Sequence, residues 1–192
     1  MTDATGGSPG DQRDGSDFQV TESESHDEFD RHSRRVLWAM PTGLYLIGSR
    51  WEDNVNLMTA NLVVQVCLEP KLVAAAIETD SVTAGLVTRS GSFALSFLAR
   101  ADKAVVRRFV KPVQDVERDR DGRVVGLSGH PVGEVGPAGL PVLSAAVGFV
   151  LATVTDRRAL GSHVLFIGQV SEVGGEPEQA LRMEDTLMHY GG

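Results

Sequence analysis

The stretch VNLMTANLVVQVCLEPKL, residues 55–72, places Asn56, Thr59, Asn61 and Gln65 in an apolar run with no charge before Glu69. Hydroxyl and amide groups at a strand break, with main-chain N–H groups beside them, can hold a phosphate or the polar edge of a ring. The same four side chains also suit a satisfied interface strand, and the pattern leaves both readings open. A second set, Thr79, Ser81 and Thr83, stands at the start of an expected short helix. Unpaired N–H groups and a partial positive charge there make an anion seat, or only an ordinary cap. Lys103, Arg107 and Lys111 recur at every fourth residue with Arg108 alongside. They could meet a phosphate or a dinucleotide, or form a solvated face. His163 follows a glycine turn at a strand start, where imidazole can donate to a ring carbonyl or serve structure alone. Tyr190, near the end, can stack on a ring or simply pack.

Other chemistries lack their residues. No G-x-G-x-x-G follows a strand and no P-loop is present. GLSGH, 126–130, does not have nucleophile-elbow spacing. The five His never pair with Cys or acids at metal-ligand spacing. Cys67 is the single cysteine, so no internal disulfide can form, and its apolar strand marks it as a core thiol.

These residues need a scaffold. Residues 28–38 predict a short helix ended by Pro41, 43–50 a strand and 51–54 a turn. Alternation over 55–68, read as one strand, puts Met58, Ala60, Leu62, Val64, Val66 and Leu68 on a pure core face. The opposite face is small, polar and uncharged, which suits a cofactor or a subunit interface. KLVAAAIE, 71–78, is apolar on both faces and reads as a central strand. Residues 79–91 predict a helix capped by Asp80 or Ser81 and stopped at Gly91. Residues 92–99 predict a strand, 101–112 a helix, and 115–139 irregular or hairpin structure. Two long strands follow at 145–156 and 163–173, with RALGS as the turn. About seven strands and three short helices without regular alternation predict a closed or nearly closed β-barrel.

The chain has 192 residues and a formal charge of −8. Residues 1–32 carry nine acids and two Arg, whereas residues 33–192 are nearly balanced. The acidity therefore belongs to the start of the chain, and a neutral body argues against nucleic acid as a partner. Residues 1–30 are expected to form a disordered acidic tail, and 31–192 one domain. The start lacks the basic and apolar segments of a signal peptide, and no apolar run is long enough to span a membrane. A cytoplasmic protein is the expectation.

Taken in order, PTGLYLIGS, NLMTAN, EPKLVAAAIETDSVT, SGSFALSFL, GLPVLSAAVGFV, GSHVLFIGQV and LRMEDTLMHYGG resemble the flavin reductase-like family, in an actinobacterial-type branch. The resemblance covers roughly residues 34–192. It implies a mainly β fold, the FMN-binding split β-barrel with a few short inserted helices, as a homodimer. It implies transfer of hydride from NADH or NADPH to FMN, or to FAD, in some members for a partner monooxygenase. By the same resemblance Met58, Thr59, Ala60 and Asn61 wrap the flavin, with Asn56 beside them. Thr79, Ser81 and Thr83 would hold its phosphate, and His163 would lie by flavin and nicotinamide. The family's Gly-Asp-His reads Gly161-Ser162-His163 here. Two other functions stay open: an electron-carrying flavoprotein that does not react with pyridine nucleotides, and a flavin-binding module without turnover.

Overall fold

The computed structural model describes residues 25–176, 179–186 and 188. Helix α1 (His26–Leu37) opens at Ser25, whose backbone N–H and hydroxyl both donate to the Glu28 carboxylate. Asp27 and Glu28 in its first turn and Arg34 and Arg35 in its last complement the helix dipole. The helix begins inside the stretch expected to be tail, and none of its residues is buried.

The main body is a seven-stranded antiparallel sheet in the order β2-β1-β5-β10-β11-β4-β3. Its strands are β1 (Tyr45–Trp51), β2 (Asn54–Ala60), β3 (Val63–Cys67), β4 (Leu72–Glu78), β5 (Ser92–Phe97), β10 (Gly148–Leu160) and β11 (His163–Gly175). The two edge strands, β2 and β3, are consecutive in the chain and joined only by Asn61 and Leu62. Two residues span only about 7 Å, so the opposite edges of the sheet come together at this corner. The sheet is therefore rolled, not flat.

That corner corrects the reading of 55–68 as one continuous strand. Alternation holds to Ala60 and does not carry across the turn. Val63 now packs on the inner core, while Leu62, Val64, Val66 and Leu68 are 39%, 60%, 50% and 77% exposed. Cys67 is half-buried at the end of β3 and not a core thiol. The expected central position of 71–78 is nearly met, since β4 lies between β11 and the edge strand β3.

Two cores flank β1 and β5. Ile47, Phe93 and Leu95 enter the inner one with Ala60, Ala75, Ala152 and Phe166, where small residues let the rolled strands approach. Leu46 and Leu98 enter the other with Leu57, Val106, Phe109 and Leu127. Helix α2 (Val82–Ser90) packs on the sheet through Ala84 and Val87, which join the inner core. Ser81 caps it by accepting from the Ala84 N–H, and Gly91 ends it at φ 67°. Both ends match the sequence signals.

The helix expected over 101–112 is replaced by two 3-10 turns, Arg100–Asp102 and Val105–Phe109. Val106 and Phe109 are both fully buried and three residues apart, and a three-residue turn points both into the core. The row of cations at every fourth residue therefore does not form. Residues 115–139 are more ordered than expected. They supply β6 (Val116–Arg118), β7 (Val124–Leu127) and β8 (His130–Val135), which with β9 (Leu140–Leu143) build a second antiparallel sheet. The GLSGH segment is its hairpin: Ser128 and Gly129, at φ 50° and 76°, form the two-residue loop between β7 and β8. The turn between the long strands is also shorter than RALGS, being only Gly161 and Ser162. No described helix is long and apolar enough to cross a membrane.

Candidate functional site

The corner between β2 and β3 faces a cavity of about 80 Å³. The end of β2 and the corner residue supply Met58, Thr59, Ala60 and Asn61. Leu44 precedes β1, Val110 follows the second 3-10 turn, and Met183 and Met188 come from the C-terminal segment. Thr59 is held in place because its hydroxyl donates to the Val106 carbonyl at 2.6 Å. Asn61 differs. It is 6% exposed, and its Oδ1 is buried with no hydrogen-bond partner among the described residues. A buried acceptor left unpaired carries a desolvation cost, so this atom suits a donor brought by a ligand.

Asn56 and Thr83 lie behind the pocket wall, bonded to each other. The Asn56 amide donates to the Thr83 hydroxyl at 2.9 Å and its carbonyl accepts from the Val113 N–H at 2.9 Å. Both residues are buried, and this cross-link ties β2 to the first turn of α2 and to the chain after the 3-10 turns. Ser81 is the cap of α2. Thr79, just past β4, is bonded to the β10–β11 turn: its N–H donates to the Ser162 carbonyl at 2.9 Å and its hydroxyl to the Gly161 carbonyl at 3.3 Å.

His163 opens β11, and its Nδ1 lies 2.9 Å from the Ser162 hydroxyl. Serine thus takes the place beside the imidazole where an acid is expected. Across the sheet His163 pairs in register with Glu78, the last residue of β4. Directly opposed residues share a face, and because Thr79 and Ser162 are the bonded pair, Glu78 and His163 form the closer, non-bonded one. Glu78 itself lines the cavity. The register therefore brings the turn at 161–163 to the edge of the pocket that Asn61 closes.

The structure thus gathers Met58 to Asn61 in one wall, and Thr79 and His163 at its margin. It turns Asn56 and Thr83 inward. Tyr190 lies outside the described residues. Sequence reasoning missed Glu78, Met183 and Met188. Glu78 carried a signal, as the charge that ends an otherwise apolar strand. The methionines carried none, because only the fold brings residues 183–188 to residues 58–61.

Two larger clefts lie elsewhere. One, of about 230 Å³, borders Phe97, Phe149 and Gly148. The other, of about 370 Å³, borders Pro41, Tyr45 and Arg182. Neither includes a residue singled out for chemistry. Among the described residues no cluster of His, Cys, Asp and Glu could hold a metal.

The smaller cavity fits part of a flavin ring. Its apolar sides suit a flat heterocycle, and the ring carries an N–H that the unpaired Asn61 oxygen can accept. At about 80 Å³ it is tighter than a tricycle requires. Three of its walls are methionines, whose unbranched side chains move at low cost.

Comparison with known proteins agrees with this chemistry. The chain is 27% identical over 162 residues to an NADH-dependent FMN reductase of Streptomyces nodosus subsp. asukaensis, covering 83% of this chain and 80% of that one. The structure resembles the NADH:FAD oxidoreductase SgcE6 of Streptomyces globisporus, with a TM-score of 0.66, 25% identity, and 81% and 89% of the two chains covered. It also resembles the styrene monooxygenase flavin reductase of Pseudomonas putida, with a TM-score of 0.63, 25% identity, and 78% and 90% covered. Residues 37–192 match the family described as the flavin reductase like domain, and the chain belongs to that family.

Proposed function

We propose that this protein is an NADH-dependent flavin reductase that passes hydride from the nicotinamide to FMN or FAD. The observation that carries the reading is the unpaired, buried Oδ1 of Asn61 in a thioether-walled pocket, in a chain of this family. Bound flavin supplies the two-electron acceptor, and the protein supplies position and polarity. Asn61 would orient the ring by its polar edge. Thr59, fixed on Val106, keeps that wall rigid. Met58, Met183 and Met188 exclude water from the apolar side. Main-chain N–H groups around Ala60 and Asn61 favour the negative charge that reduction creates. His163, held by Ser162, is the proposed polar group at the margin where the nicotinamide arrives. The Ser81 hydroxyl at the start of α2 is the proposed donor for the flavin phosphate, the Thr79 N–H and hydroxyl being bonded to the β10–β11 turn.

Further features support a finer reading. The meeting of β2 and β3 at Asn61 and Leu62 suits a split β-barrel. The apolar, exposed outer face of β3 suits a homodimer, whose second copy would cover Val64, Val66 and Leu68. A partner monooxygenase as the user of reduced flavin is consistent with the styrene monooxygenase relative. A cytoplasmic location is consistent with the lone Cys67.

The test is direct. NADH and NADPH oxidation by the purified protein is followed with and without added FMN and FAD. Turnover that depends on flavin and prefers NADH is expected. A protein that binds flavin but leaves both nucleotides unoxidised overturns the reductase reading in favour of an electron carrier.

A further inference from the structure

The chain is acidic, yet one surface segment is not. Between residues 103 and 111 it carries Lys103, Arg107, Arg108 and Lys111, all exposed. None of the four has a carboxylate within ion-pair distance among the described residues. Arg100, just before them, is different, being paired with Asp185. The segment is not a detached loop. Val106 and Phe109 anchor it in the core, and the Val106 carbonyl receives the Thr59 hydroxyl. Val110, between Arg108 and Lys111 in sequence, lines the candidate flavin pocket. Two residues past Lys111, the Val113 N–H is bonded to Asn56, which also holds the first turn of α2.

Four cations therefore lie exposed on the segment from which Val110 reaches the pocket wall. Unpaired like charges so close together repel one another, and a solvated face gains nothing from their lacking acids. An anion arriving at the pocket mouth would supply the missing counter-charge and be steered there. We propose that Lys103, Arg107, Arg108 and Lys111 form an anion-binding rim that receives the pyrophosphate of the pyridine dinucleotide co-substrate. The inference rests on the reductase reading and deepens it. A flavin phosphate has the same chemistry. The pyridine nucleotide is the favoured source because the cations are exposed to solvent, from which a substrate that exchanges at each turnover must arrive.

The test uses the full chain and three variants, R107A/R108A, K111A and the control R120A, whose arginine is exposed in the β6–β7 loop. Steady-state kinetics with NADH at saturating FMN are combined with calorimetric titration of ADP-ribose and fluorescence titration of FMN and riboflavin. Circular dichroism checks folding. For R107A/R108A a KM for NADH raised about 10-fold is expected, with kcat at saturation retained, since exposed charge contacts each carry a modest energy that adds across two sites. ADP-ribose affinity should fall in parallel, and both effects should shrink as salt rises. R120A should match the unsubstituted protein. KM and ADP-ribose affinity within twofold of the unsubstituted protein overturn the proposal. Loss of FMN affinity with riboflavin and ADP-ribose binding unchanged also overturns it, because the rim then serves the flavin phosphate. A protein that oxidises no NADH defeats the underlying reductase reading instead, and ADP-ribose binding still decides the rim.

Discussion

Asn56 and Asn61 sit on the same short stretch and look alike in sequence. Their partners separate them. Asn56 has both ends of its amide bonded, to Thr83 and to Val113, which lie 27 and 57 residues away. Asn61 has a buried oxygen with no partner among the described residues. Opposite consequences follow from truncation. Asn56→Ala leaves a buried hydroxyl and a half-buried N–H unpaired, so urea unfolding should show a loss of about 2–4 kcal/mol. Asn61→Leu removes an unpaired acceptor, so stability should hold or rise, while FMN affinity measured by fluorescence quenching falls about 10-fold or more. A paired loss of stability and unchanged affinity in Asn61→Leu would contradict the assignment. The sequence marked both residues as polar intruders in an apolar run, which was right. It could not say which one faces inward, because that depends on contacts far along the chain. The same holds at Thr83, read as part of an anion seat and found to be the buried partner of Asn56. Ser81 and Gly91, by contrast, were legible because capping is local.

At the scale of elements, the errors fall where tertiary packing overrides local pattern. The 3-10 turns at 100–109 have helical composition, but the core takes Val106 and Phe109 three residues apart. The strand expected over 55–68 breaks where one sheet edge hands over to the other. The C-terminal segment shows a third case. Leu181 is buried and its N–H donates to the Leu98 carbonyl, while Met183 donates to the Thr42 carbonyl. From this anchor the segment reaches the pocket with Met183 and Met188. Its turn is set by Asp185, which accepts from the Arg182 N–H and pairs with Arg100. The Arg182 N–H, ahead of the Arg100 guanidinium, holds the Asp185 carboxyl below its ordinary value of 3.8 against the opposing effect of burial. A carboxyl depressed on folding stabilises above its unfolded pKa and ceases to do so as pH falls through its folded one. Asp185→Asn should therefore melt below the parent by a constant margin from pH 7 to about 5, and the two melting curves should converge in acid below about pH 4. Calorimetry across that range reads the gap, and a margin that widened toward acid would assign the stabilisation to another group. Weaker FMN binding in the same variant at pH 7 would show that the segment also shapes the pocket.

For the whole molecule, the question is what covers the apolar surface left open. Among the described residues strand β3 is hydrogen-bonded only to β4, which leaves its outer edge bare. Its outward side chains Val64 and Val66, with Leu68 beyond them, form a row that water would not favour. Helix α1 adds a second such row, Phe29, Val36 and Leu37, none of it buried among the described residues. The nearly balanced charge of residues 33–192 offers no strong repulsion between two copies. These observations support the proposed self-association through β3, and Asn61 opens the corner that leads into that strand. Val64→Glu/Val66→Glu places two like charges on each facing strand without touching either core, so the isolated chain should keep its circular dichroism spectrum. Sedimentation velocity should show two-chain particles for the parent and single chains for the variant. If the pocket depends on β3 being held in place by the second copy, FMN affinity should fall with the sedimentation coefficient, and both should recover together at high protein concentration. A variant that sediments with the parent removes β3 from the interface and leaves α1 as the face to test next.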